Sequence, residues 1–289
     1  MKNKFLLYLK VSRPGLWFAT IWLYMLPTSQ SPEMFHSFLF WYGFFYICFP
    51  LNFMVYGWND VVDYETDVLN PRKDSFWFGA RATKMQLGTL WKPIIISQIL
   101  TLPVLIFYGG MNMLLIYAGF IVINLLYNLP EKGLRSMPPL ELLCQIGYLL
   151  VVPFSIILNK TESLPFQTYI YLFLFSIQAH LMGEVMDCLP DKSSGRTTTT
   201  TVLGVIRTKI LIILIVVGEI FIVFQYFKEV WFSAFLSMAL LWLLLDLLFI
   251  FRKNTYTLIQ MKIFAFISNL LALLSILYVW MSGCLLMVK

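Results

Sequence analysis

The chain has 289 residues, 60% of them hydrophobic and 12% charged, with a net charge of +6 and a mean hydropathy of +0.78. These values exclude a soluble globular domain and place the chain among integral membrane proteins. Membrane topology then accounts for the positive charge, so nucleic-acid binding is not needed to explain it.

The first apolar stretch, near 14–31, follows Lys2, Lys4, Lys10 and Arg13 and contains Trp17, Trp22 and Tyr24. It reads as a retained anchor, not a cleaved signal peptide. Further apolar stretches lie at 35–58, 93–110, 112–129, 140–158, 167–186, 210–226, 231–250 and 263–283, each near the roughly 20 residues that a bilayer crossing needs. Gly109 and Gly110 divide the third from the fourth. The expectation is an all-α polytopic membrane protein, a single domain over 1–289 with about nine transmembrane helices.

With the N-terminus in the cytoplasm, the loops after helices 2, 4, 6 and 8 share its side. Together with the N-terminal segment they then hold 18 of the 21 Lys and Arg, leaving Lys160, Lys228 and Lys289 opposite. That asymmetry follows the positive-inside rule and checks the helix count, since losing one helix would scramble it. Cys48, Cys144, Cys188 and Cys284 are far apart and form no CxxC pair, so they read as packing residues, with neither a disulfide framework nor a zinc site.

Helix 2 runs into "NDVVDYETD", where Asn59, Asp63 and Asp67 fall at i, i+4 and i+8 with Asp60 one step around. If the helix continues, these form one stripe. Such a stripe suits a divalent cation, and oxygen donors at this density suit Mg²⁺. A solvated cap on a membrane helix would read the same way. The loop after helix 6, "GEVMDCLPDKSSGRTTTT", adds Asp187 and Asp191 four apart, with Glu184, Lys192 and Arg196 nearby. Two acidic clusters on one face can hold Mg²⁺ around a diphosphate, with Lys and Arg completing the charge balance. Pro190 argues against a regular helix through the second cluster.

The run Thr197–Thr201 reads either as a cap on a short helix or as a set of hydroxyls for phosphate. The loop after helix 4 supplies Lys132 and Arg135, which also serve topology. His180 and Glu184 lie at i, i+4 on helix 6, while Glu219 and Asp246 lie within helices 7 and 8; intramembrane ionisable residues are functional candidates. Trp17, Trp41, Tyr56, Trp58 and Tyr127 read as interfacial belt residues.

Asn59–Asp67 carries NDxxDxxxD and Asp187–Asp191 carries DxxxD. On these motifs, together with "SRPGLW", "LYNLPEKGLRSMPPL" and "DKSSGRTTTTTVLG", the chain resembles the UbiA superfamily of intramembrane prenyltransferases. The resemblance implies a helical bundle around a central cavity opening to the cytoplasmic face of the cell membrane. It further implies that Asn59, Asp60, Asp63, Asp67, Asp187 and Asp191 are catalytic and bind Mg²⁺. Arg72, Lys73, Lys132, Arg135 and Lys192 would bind the diphosphate of a prenyl diphosphate substrate, and a lipophilic acceptor would complete the reaction. "YGWNDVVDYETDVLNPRK" looks most like the carotenoid-prenylating, lycopene elongase-like branch. It departs from that branch at Asp74–Phe78, where glycines are expected, at Met186, where a proline is usual, and at Arg196, one place early. A UbiA-type terpene cyclase, capturing the cation within its own chain, begins with the same step. An ion-coupled transporter using His180, Glu219 and Asp246 is a third, more distant reading.

Overall fold

The computed structural model describes residues 2–129, 133–252 and 255–289. The helices are α1 (Lys2–Val11), α2 (Trp17–Met25), α3 (Phe38–Cys48), α4 (Pro50–Val62), α5 (Tyr64–Leu69), α6 (Lys84–Gly88), α7 (Trp91–Tyr127) and α8 (Leu140–Leu143). They continue with α9 (Ile146–Leu149), α10 (Val151–Asn159), α11 (Phe166–Ser193), α12 (Thr199–Leu203), α13 (Val205–Phe227), α14 (Val230–Leu245) and α15 (Leu258–Ser282). Among the described residues the only β pairing is an isolated bridge, Ser75 to Gly79, so the fold is all-α.

Seven helical stretches among the described residues are long and apolar enough to cross a membrane. One of these, Lys84–Tyr127, is folded back on itself. A straight helix of the 37 residues of α7 would run about 55 Å, yet both its ends meet the same end of α4. Trp91 packs on Trp58 with ring centroids 5.3 Å apart, and Asn128, just past α7, accepts from Asn59 Nδ2 at 3.2 Å. The reversal is at Gly110, with φ 61° and ψ −150°, a conformation open to glycine and hostile to other residues. Two arms of α7 result, matching the third and fourth apolar segments. The first segment, Pro14 to Thr28, is built from α2 between two short 3₁₀ turns.

Hydrogen bonds sort the loops to two ends. At one end Gln30 N donates to Trp280 O at 2.9 Å, Thr168 Oγ1 to Leu285 O at 2.6 Å, and Lys289 Nζ pairs with Glu229 at 2.5 Å. At the other, the segments after α4, α7, α11 and α14 meet. Three helices begin at this second end with a threonine capping box, Thr83 with Gln86, Thr198 with Thr201 and Thr257 with Gln260, which satisfies amides that would otherwise be orphaned.

The interior is aromatic, with Tyr24, Phe40, Tyr46, Phe53 and Phe154 fully buried and Tyr24 OH donating to Phe40 O at 2.8 Å. Outward side chains such as Phe107 and Trp231, 81% and 76% exposed, present the apolar surface that an integral membrane protein gives to lipid.

Two expectations change. α11 continues through Pro190 to Ser193, because a proline removes one i→i−4 bond and near a helix end that loss is tolerated. The stripe Asn59–Asp63–Asp67 is not continuous: α4 ends at Asp63 (φ −90°, ψ 14°) and α5 starts anew at Tyr64. Asp63 and Asp67 consequently point at different partners.

Candidate active site

Every motif aspartate is met by a basic side chain. Asp60, 1% exposed, receives Arg13 Nη2 at 2.5 Å and Lys73 Nζ at 2.8 Å. Lys73 also reaches Asp67 at 2.7 Å. Asp63 receives Arg135 Nε at 2.6 Å, Arg196 Nη1 at 2.9 Å and Asn59 Nδ2 at 2.9 Å. Arg72 pairs with Asp187, to which Asn70 Nδ2 also donates at 2.9 Å. Asp191 lies 4.0 Å from Arg196 Nη1. The two acidic segments, 120 residues apart in sequence, are thus stitched together at one end of the bundle by the loop that follows α5.

That loop folds back because Asn70 and Arg72 reach α11, Lys73 reaches α4, and Gly15 N donates to Phe76 O at 2.9 Å. Gly79 sits at φ +105°, and a Cβ there would lie 3.0 Å from Arg13 Nε, which would have to give way, and 3.5 Å from Lys73 Nζ. Gly79→Ala should cost about 1–2 kcal/mol in stability from backbone strain and lower diphosphate release by displacing Arg13. Thermal melting and a diphosphate assay check this, and an unchanged melting curve would show that the loop absorbs the change.

Electrostatics follow from burial. Desolvation, reinforced by Asp60, pushes Asp67 up to about 6, with Lys73 and Arg13 pulling against it. Burial works against the charge on Arg13 and Arg196, but Asp60 and Asp67 for the first, Asp63 and Asp191 for the second, more than offset it and hold both guanidiniums above their usual range.

Of the expected phosphate partners, Arg72, Lys73 and Arg135 stand in this site. Lys192 is exposed, with no ion pair among the described residues, and Lys132 lies outside them. Two further arginines, Arg13 and Arg196, are in the site instead. Arg13 adopts a left-handed conformation, φ 51°, which turns its guanidinium over the Tyr56 ring at 4.5 Å. Such strain in a non-glycine residue marks functional positions. Tyr56, expected in an interfacial belt, is buried here and accepts from Tyr148 OH at 2.8 Å.

The threonine run caps. Thr198 opens α12, Thr199 N and Oγ1 donate to Glu141 at 2.7 and 2.5 Å, and Thr200 N donates to Glu184 at 2.8 Å. The orphan amides of a helix N-terminus are thereby taken by two carboxylates. His180 lies 3.2 Å from Glu184 and 3.0 Å from Gln145. Asp246 is locked to Lys209 at 2.8 Å and to Tyr256 OH at 2.9 Å, and Glu219 faces Gln178 at 3.5 Å. These three groups have separate partners.

Phe78 is buried among Leu181, Val185, Ile212 and Met261, with Arg72 over its ring at 5.1 Å. Trp77 packs beside it and over Gly15, whereas Phe76 is exposed under Lys10. The aromatic replacement of the expected glycines is therefore split between the interior and the surface.

The profile of the UbiA prenyltransferase family matches residues 16–270. The chain belongs to that family. Two similar proteins of known description are a lycopene elongase/hydratase from Corynebacterium glutamicum, 29% identical over 212 residues and 71% of each chain, and one from Haloarcula japonica, 23% identical over 199 residues, 68% of this chain and 66% of the relative. A UbiA homolog from Archaeoglobus fulgidus, solved bound to DMAPP and Mg²⁺, has a TM-score of 0.67 over 96% of this chain and 99% of that one, at 15% identity. The same homolog bound to GPP and Mg²⁺ gives 0.65. The fold is shared, and this UbiA-family enzyme is an integral membrane prenyltransferase.

Among the described residues of this UbiA-family site, no three His, Cys, Asp or Glu converge into a ready metal cage, because cations stand between the carboxylates. The donor set nonetheless fits Mg²⁺: hard carboxylate oxygens in two groups, with Asp60 Oδ2 buried and unpartnered.

Proposed function

We propose that this protein ionises an allylic prenyl diphosphate in a Mg²⁺-dependent step and transfers the prenyl group to a lipophilic acceptor, carotenoid-like, isoprenoid or a quinone precursor. The observation that carries this is the set of motif aspartates, each engaged by a buried or half-buried basic side chain at one end of an apolar bundle. Asn59, Asp60, Asp63 and Asp67 with Asp187 and Asp191 would hold the metal, which when bound draws electron density from the diphosphate.

Arg13, Arg72, Lys73, Arg135 and Arg196 are placed to exchange carboxylate for phosphate oxygens and to neutralise the leaving group as the allylic C–O bond breaks and its electron pair departs with the diphosphate. The electron-rich faces of Tyr56 and Phe78, already under guanidiniums, suit a nearby carbocation. A double bond of the acceptor then supplies the electrons of the new C–C bond, and loss of a proton restores neutrality. The basic residues gathered at this end support a cytoplasmic orientation for it.

The test is purified protein in detergent with prenyl diphosphates of several lengths, with and without lycopene or a quinone precursor, products read by mass spectrometry. Diphosphate release and an acceptor-dependent adduct are expected with Mg²⁺, both lost with chelator and regained on Mg²⁺ addition. A cyclic hydrocarbon made without acceptor would replace transfer by cyclisation, and full activity in Asp187→Ala would remove the assigned site.

A further inference from the structure

Between α2, α4, the second arm of α7 and the α8–α10 segment lies a cavity of about 50 Å³, whose wall includes Thr20, Asn52, Val55, Phe120, Asn124 and Tyr148. Such a volume holds a few water molecules or the oxygen-bearing end of a longer molecule. Most of its polar wall groups are satisfied by protein. Asn52 Nδ2 donates to Thr20 Oγ1 at 3.1 Å and to Ile47 O at 2.9 Å, Thr20 Oγ1 donates to Trp17 O at 3.0 Å, and Tyr148 OH donates to Tyr56. Asn124 differs: it is 6% exposed, and its Nδ2 has no partner among the described residues.

The orientation of that amide is dictated from the acidic motif. Asp63, held by Arg135 and Arg196, is a carboxylate and only accepts. Asn59 must therefore present Nδ2 to it, at 2.9 Å, and the same Nδ2 meets Asn128 at 3.2 Å. Asn128 must then offer Oδ1 to Asn59, which turns its own Nδ2 toward Asn124 Oδ1 at 2.9 Å and Asn124 O at 3.0 Å. With Oδ1 committed, Asn124 is left with its Nδ2 directed away from the relay. The chain of carboxamides thus delivers a donor of fixed polarity to the wall of a largely apolar cavity, where an unmatched donor is costly.

We infer that this cavity is an oxygen-recognising subsite: Asn124 Nδ2 donates to one oxygen atom, belonging either to the lipophilic acceptor or to a bound water beside it. The inference rests on the prenyl-transfer reading for its role. An acceptor oxygen held there fixes which double bond faces the prenyl cation. A water held there adds its lone pair to the acceptor-derived cation, forming the C–O bond and passing its proton to the released diphosphate.

Two measurements test it, on the full chain in lipid nanodiscs. Equilibrium binding of a long-chain alcohol is compared with the alkane of equal length for the wild type, Asn124→Leu and Asn124→Ser. The wild type is expected to prefer the alcohol at least tenfold, Asn124→Leu to lose the preference, and Asn124→Ser, which keeps a donor, to regain part of it. Equal preference in the wild type and Asn124→Leu overturns the subsite. Turnover in H₂¹⁸O with hydroxylated and hydrocarbon acceptors then separates the sources: ¹⁸O in the product, diminished at least tenfold by Asn124→Leu, marks water, and a wild-type preference for the hydroxylated acceptor without label marks acceptor oxygen. Were no diphosphate released at all, the transfer reading would fall while the binding comparison still decided the subsite.

Discussion

Asp63→Ala is expected to lower kcat/KM for diphosphate release by about 10²–10³ and to destabilise the protein by about 3–5 kcal/mol. The two losses have separate causes. Among the described residues Asp63 is the one carboxylate shared by Arg135, Arg196 and Asn59, so its removal strands the buried Arg135 and leaves the half-buried Arg196 only Asp191 at 4.0 Å, and an uncompensated buried charge is among the costliest of single changes. The catalytic loss comes from the missing oxygen donor on the diphosphate side. Asp63→Asn combined with Arg196→Gln separates them. The double variant should recover much of the melting temperature, since both sides of a pair are neutralised, but none of the turnover. Recovery of both would show that Asp63 serves the fold alone.

Lys209→Met should cost a similar 3–5 kcal/mol although it lies away from the diphosphate site. Lys209 and Asp246 are 2% and 1% exposed and pair at 2.8 Å. Lys209 also donates to Phe251 O at 2.8 Å, and Tyr256 OH donates to the same carboxylate oxygen. One ammonium therefore ties α13 to the end of α14 and to the turn beyond it, where residues Asp246–Ile250 widen into a π-helical turn. Removing the lysine leaves the buried Asp246 with no cation and only the Tyr256 hydroxyl as partner. The double variant Lys209→Met with Asp246→Leu should lie within about 1 kcal/mol of the wild type or above it, because a buried pair costs much of its attraction in desolvation. Denaturation in detergent checks both, and a double variant as unstable as the single would assign the loss to Tyr256 and the π turn.

The apolar segments and the two acidic motifs were legible because each is local: length and hydropathy mark a crossing, and four-residue spacing marks a helical face. The reversal at Gly109–Gly110 was legible for the same reason. What escaped depends on distant pairing. Arg13 meets Asp60 across 47 residues by adopting a left-handed backbone, and nothing in a lone arginine before proline announces that. Arg196 meets Asp63 across 133 residues. Lys192, adjacent to a motif aspartate, looked equally suited but points outward, because on a helix the next residue is turned about 100° away from its neighbour. Tyr56 resembled a belt residue by position alone, whereas the arginine stacked on its face and the tyrosine bonded to its hydroxyl place it inside.

The pairing of five aspartates with Arg13, Arg72, Lys73, Arg135 and Arg196 has one further meaning. Five carboxylates face five basic side chains, so the motif residues carry their own counterions and this set is close to electrically neutral. On the proposed reading, loading it would be a change of partners within a fixed charge inventory: carboxylates released by arginine or lysine would become free for a metal, and the released cations for phosphate. Because Arg196 faces both Asp63 and Asp191, the two clusters are electrostatically coupled even though they sit on different helices.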